Sequence, residues 1–177
     1  TEGRLQFVGY LEQFGLKDVT GIEIVGEKTP YIKHPNDKNW YGTTIPWMSH
    51  GYELELTPLQ ILNLYNTVAN DGTMMKPYLV SEIYSEDGET MHFDPKVLKE
   101  KIASDYTIKQ TQEILKEVVL SGTARKLKSE FFEFAGKTGT ARFDYGTNKE
   151  EKKYNASFAG YFPADNPVYS CIVVIYE

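Results

Sequence analysis

The residues best suited to chemistry are Lys137, Thr138, Gly139 and Thr140, in the run Ala135-Gly136-Lys137-Thr138-Gly139-Thr140-Ala141. Read as a string, Gly-Lys-Thr suggests the end of a phosphate-binding loop. That motif needs a glycine five residues before Gly136, where Phe131 stands, and a helix afterwards, whereas Ala141-Arg142-Phe143 continues as strand. The alternative is one wall of an acyl-transfer site carried on a strand. Lys137 supplies a fixed positive charge for a substrate carboxylate. Thr138 and Thr140 supply hydroxyls for the same group. Gly139 lets a peptide lie close against the backbone as an added strand, and the Thr140 N–H then serves as an oxyanion donor. A plain strand with Lys and Thr on its polar face is the competing reading.

The motif lies in the first of three predicted strands: Phe134 to Phe143, Tyr154 to Phe162, and Val168 to Tyr176. Ser157, Ala159 and Tyr161 share a face of the second, and Ala164-Asp165-Asn166-Pro167 reads as the turn after it. Upstream, a helix is expected from Glu2 to Phe14, with Leu5, Val8, Leu11 and Phe14 as its stripe and Gly15 as its stop. A second follows the N-cap Thr57 and Pro58, with Leu59, Leu62, Tyr65, Val68 and Ala69 inward, ending at Asp71-Gly72. A third runs from Asp105 to Leu120, with Ile108, Leu115, Val118 and Val119 inward. Tyr78 to Met91 reads as a hairpin turning at Glu86-Asp87-Gly88. Residues 18–49 read as one long ordered loop through Pro30, Pro35 and Pro46, holding Trp40 and Trp47. Helices first and antiparallel strands last define an α+β layer.

Composition narrows the partners. In 177 residues, 19 Lys+Arg against 25 Asp+Glu leave a net charge of −6, which argues against nucleic acid or an anionic membrane surface. With 41% hydrophobic and 25% charged residues the chain is globular. One cysteine, Cys171, excludes an internal disulfide and reads as a small core residue. His34, His50 and His92 have no metal-ligand spacing and read as loop residues. Glu113 and Glu117 read as a solvated helix face. Tyr145 and Asn148, in the charged link DYGTNKEEKK, belong to a hairpin tip at the rim of any cleft. The sequence starts at Thr1 and stops at Glu177 directly after the apolar run CIVVIY, as expected of a piece of a longer chain.

Further motifs stand in a fixed order: Thr20-Gly21-Ile22-Glu23 with Gly26-Glu27, then Gly51-Tyr52 before Thr57-Pro58-Leu59-Gln60, then Ala69-Asn70-Asp71-Gly72 and Lys76-Pro77. Gly122-Thr123-Ala124, the Lys137 motif, and Ala156-Ser157-Phe158-Ala159-Gly160 with Pro163-Ala164 complete the series. In this order the sequence resembles the transpeptidase domain of class B penicillin-binding proteins over essentially its whole length. Ile45-Pro46-Trp47-Met48-Ser49 before Gly51 resembles the division-specific branch. The family also uses Ser-x-x-Lys, which holds the nucleophile, and Ser-x-Asn. No serine here has Lys three residues later or Asn two later.

The resemblance implies a partial serine β-lactamase/penicillin-binding transpeptidase-like fold, an antiparallel sheet with flanking helices. Residues 1–177 would be the C-terminal portion of one transpeptidase domain. The implied reaction cross-links peptidoglycan stem peptides through a serine acyl-enzyme, without cofactor or metal. Lys137 and Thr140 are implied catalytic residues, and Lys137, Thr138, Gly139 and Thr140 the substrate-binding wall. A twist or bulge near Gly139 is expected to bring Lys137 and Thr140 together. The implied partners are the D-Ala-D-Ala end of a stem peptide, β-lactams and other cell-wall or divisome proteins. The implied location is the periplasmic side of the inner membrane, with an N-terminal anchor. A β-lactam sensor domain and a non-catalytic scaffold of the same fold stay open as alternatives.

Overall fold

The computed structural model describes residues 2–143 and 153–176; the expectation for Tyr145 and Asn148 falls outside them. Helices α1 (Glu2–Gln13), α2 (Thr44–Met48), α3 (Pro58–Ala69) and α4 (Asp105–Leu120) precede a sheet of β7 (Ala135–Phe143), β8 (Lys153–Phe162) and β9 (Tyr169–Tyr176). Between them lie short strands β1 (Tyr31–Ile32), β2 (Leu54–Glu55), β3 (Met74–Met75), β4 (Glu82–Tyr84), β5 (Thr90–His92) and β6 (Val97–Lys99). The main sheet is antiparallel in the order β7-β8-β9.

The helices start where local chemistry provides caps. Thr57 accepts the Gln60 N–H at 3.2 Å while Gln60 Oε1 accepts the Thr57 N–H at 2.8 Å, a reciprocal box closed by Pro58 in the first turn. Ser104 caps α4 in one direction, its hydroxyl accepting the Thr107 N–H at 3.2 Å. The burial of α3 differs from expectation. Its most deeply buried residues include Gln60, Asn63 and Thr67 alongside Val68, whereas Leu59 and Leu62 stay half-buried. The polar groups are spent internally: the Gln60 amide donates to the Lys28 carbonyl at 3.0 Å and the Thr67 hydroxyl to the Asn63 carbonyl at 2.7 Å. Satisfied in this way, Gln60 and Thr67 cost little to bury.

α3 and α4 cover one face of the sheet. Val68 and Leu115 pack there with Ala135, Tyr161 and Ala164, and a second cluster joins Met74, Ile102 and Ile108. Ser170 reaches Asn66 of α3 at 3.2 Å, so Ser170, Ile172 and Val174 face the helices. Tyr169, Cys171, Val173 and Ile175 face away and are exposed. The expectation of a core role for Cys171 is therefore corrected: it lies on the face α3 does not cover.

The hairpin forms as expected, with Gly88 in the left-handed region (φ 84°) at its turn. The expected loop over residues 18–49 instead contains β1, paired with β2, and the short helix α2. Pro46 hides α2 from a sequence reading, yet it stands in the first turn, where a missing N–H costs nothing. His92 is likewise a strand residue of β5, 3.2 Å from the Glu82 carboxylate, not a loop residue.

Candidate active site

β7 carries the motif along an edge of the sheet, and hydrogen bonds at its two ends establish which way its peptide groups point. The Glu133 carbonyl accepts the Ala164 N–H at 2.9 Å, so odd-numbered residues turn toward β8. The Arg142 N–H donates to the Tyr52 hydroxyl at 3.0 Å, so even-numbered residues turn outward. Peptide groups alternate strictly along a strand. The N–H and C=O of Thr138 and Thr140 therefore lie on the outward edge with that of Arg142. The strand holds Lys137 and Arg142 and no acid, a local positive stretch in a negative chain.

The side chains alternate too. Pairing with β8 runs unbroken from Ala135↔Tyr161 to Phe143↔Lys153, without a register shift. The bulge expected near Gly139 is absent, because Gly139 stays in register opposite Ser157. Thr138 and Thr140 share one face, and Lys137 stands on the other with Gly139. The Lys137 ammonium folds over the edge to the Thr138 carbonyl, 2.7 Å away. The hydroxyl pair of the site is thus Thr138 with Thr140, and Lys137 joins from the opposite face.

The glycines have sharper reasons than substrate access. A Cβ on Gly136 would lie 2.5 Å from the Ala159 carbonyl, and one on Gly160 would lie 2.2 Å from the Ala135 carbonyl. These residues face each other across the ladder, so the backbones meet where no side chain fits. At Gly139 the obstacle is only the Ser157 hydroxyl, at 2.6 Å.

Two neighbours went unnoticed as site residues. The Thr138 hydroxyl donates to Thr123 at 3.0 Å, which joins the Gly122-Thr123-Ala124 motif to the wall. Tyr52 reaches Arg142 across 90 positions of sequence, and its ring stands edge-on to Trp47 at 5.1 Å. The only prior signal for either was its place in the ordered motifs. Glu113 and Glu117 lie exposed on α4, as expected. Among the described residues no group of His, Cys, Asp and Glu is placed to hold a metal ion. An apolar cavity of about 230 Å³ between α3 and α4 includes Tyr65, Ile102 and Leu115 but none of the motif residues.

Residues 3–177 match the penicillin binding protein transpeptidase domain, and the chain belongs to that family. Penicillin-binding protein H of Bacillus subtilis is 34% identical over 97% of the chain, and that match takes in 25% of the relative. The peptidoglycan D,D-transpeptidase FtsI of Escherichia coli is 28% identical over 92% of the chain and 26% of the relative. The chain thus spans about a quarter of the length of these curated relatives. Penicillin binding protein 3 of Mycobacterium tuberculosis, solved with aztreonam, superposes with a TM-score of 0.80 at 27% identity, covering 97% of this chain and 40% of that one.

Proposed function

We propose that this chain is the C-terminal portion of a transpeptidase domain and supplies one wall of a serine acyl-transfer site. The observation carrying this reading is the outward edge of β7, where the Thr140 N–H is presented between two hydroxyls on one face and an ammonium on the other. The Thr140 hydroxyl and the Thr138 hydroxyl, which turns its single proton from Thr123 to the ligand and accepts from Thr123 instead, hold the terminal carboxylate of a D-Ala-D-Ala stem peptide, and Lys137 adds charge. The peptide lies along β7 as an added strand. A serine from outside residues 1–177 attacks the penultimate D-alanine carbonyl. The Thr140 N–H donates to the oxygen as it becomes an oxyanion. The terminal D-alanine leaves, and the acyl group passes to an amine of a neighbouring stem peptide. β-Lactams acylate the same serine because they mimic the donor.

The chain lacks a serine with lysine three residues on, so by itself it forms no acyl-enzyme. In the whole protein an N-terminal segment anchors the domain on the periplasmic side of the inner membrane, among other cell-wall proteins. Ile45-Pro46-Trp47-Met48-Ser49 assigns it to the division branch, a reading checked by depletion: cells filament, whereas an elongation enzyme leaves them rounded. Labelling with fluorescent penicillin, followed by denaturing electrophoresis, tests the activity. The complete polypeptide takes up one label and residues 1–177 alone take up none. A label on residues 1–177, or none on the complete polypeptide, overturns the assignment. The sensor reading requires a stable adduct and no transfer to an amine.

A further inference from the structure

Tyr52 stands one ladder step beyond Thr140, and its turn is held rigidly. Gly51 and Glu53 on either side are both left-handed, with φ 99° and 58°. At Glu53 this is a conformation a side chain seldom adopts and one that surrounding contacts must hold. The buried Lys33 ammonium provides such a contact, 2.8 Å from the Glu53 carboxylate, and holds that carboxyl below its ordinary pKa range. Trp47 and His50 stand at 5.1 and 5.5 Å from the Tyr52 ring. From this support the Tyr52 hydroxyl accepts the outward Arg142 N–H at 3.0 Å.

We propose that Tyr52 is a positioning residue that sets the register of the acyl-donor peptide by closing the β7 edge at Arg142. This rests on the reading above, in which the donor carboxylate lies at Thr138 and Thr140. With the scissile carbonyl on the Thr140 N–H, the rest of the donor runs toward Arg142. Outward N–H groups recur about every 7 Å along an edge, so an open edge of equivalent donors tolerates a slip of one step. The slipped donor places its scissile carbonyl on the Arg142 N–H, about 7 Å from the oxyanion position. It is bound but out of reach of the nucleophile. Tyr52 occupies that step in advance, so the donor leaves the edge after Thr140 and meets the Trp47 and Tyr52 rings.

The test uses Tyr52→Phe in the complete transpeptidase with a thiolester stem-peptide mimic ending in D-Ala. The substitution removes one oxygen and keeps the ring contacts. Opening a non-productive register lowers kcat and KM together, by about threefold to tenfold, and leaves their ratio intact. Hydrogen exchange at the Arg142 amide speeds up in the same variant. A fall in kcat with KM unchanged or raised shows that Tyr52 only supports the fold, and overturns the proposal. Unchanged kcat and KM with faster Arg142 exchange also overturn it. Penicillin acylation of the unsubstituted enzyme is measured first. Its failure condemns the functional reading itself, whereas its success with either contrary Tyr52→Phe result condemns the register role alone.

Discussion

Thr140→Val separates the Thr140 hydroxyl from everything else the residue contributes. Valine keeps the β-branched shape, the strand geometry and the backbone N–H on the outward edge of β7. Only one hydrogen bond to a charged carboxylate is lost, worth about 1.5–3 kcal/mol. Acylation by penicillin in the complete transpeptidase slows roughly ten- to a hundredfold, since each 1.4 kcal/mol or so is a factor of ten. Thr138→Val on the same face removes a similar bond. It also breaks the 3.0 Å contact with Thr123, which adds about 1 kcal/mol of lost stability. On the proposed reading both hydroxyls hold one carboxylate, so the double variant departs from additivity. Lys137→Ala costs more than either, because it removes the counter-charge. Stopped-flow acylation rates, with circular dichroism to verify folding, decide the matter. A folded Thr140→Val or Lys137→Ala enzyme that acylates at the unsubstituted rate refutes the reasoning.

Gly160→Ala drives a methyl to 2.2 Å from the Ala135 carbonyl, so β7 and β8 must part by about 1 Å, at a cost of about 1–3 kcal/mol or more, read by urea denaturation. Tyr161 is 2% exposed, its hydroxyl has no hydrogen-bond partner among the described residues, and burial, with Asp165 and Asp71 adding, pushes its pKa up to about 12. Because folding raises that pKa, its stabilising contribution is complete below about pH 10 and is lost as pH rises through about 12. Tyr161→Phe therefore leaves neutral-pH stability equal or higher, by up to about 1 kcal/mol, and moves the alkaline unfolding midpoint upward. The uncovered face of β9, with Val173 53% and Ile175 64% exposed, makes residues 1–177 self-associate at high concentration. Light scattering from a strictly monomeric chain would count against it, and Ile175→Lys should reduce association.

Sequence pattern revealed the elements that carry strong local signals. Thr57-Pro58 announces α3 because a cap is chemistry between near neighbours, the stripe of Ile108, Leu115 and Val119 announces α4, and β7 to β9 alternate over eight or more residues. Two-residue strands such as β1 and β3 have no period to read, and their partners lie far along the chain. Apolar patterning misjudged α3, since Gln60 and Thr67 become buriable only after their hydrogen bonds are made. It misjudged Cys171 for a different reason: an apolar strand does not reveal which of its faces is covered. The Lys137 motif named the residues of the wall but not their faces. That needed the register with β8, which shows Thr138 and Thr140 together and Lys137 opposite. Tyr52 was beyond reach because its contact with Arg142 is purely tertiary.

The most direct measurement is the crystal structure of the complete transpeptidase acylated by a penicillin. The account predicts the β-lactam carboxylate within hydrogen-bond distance of the Thr138 and Thr140 hydroxyls. It also predicts the acyl carbonyl oxygen on the Thr140 N–H, with the Arg142 N–H still held by Tyr52. A covalent adduct whose carboxylate and carbonyl contact other residues, leaving the outward edge of β7 empty, would contradict it.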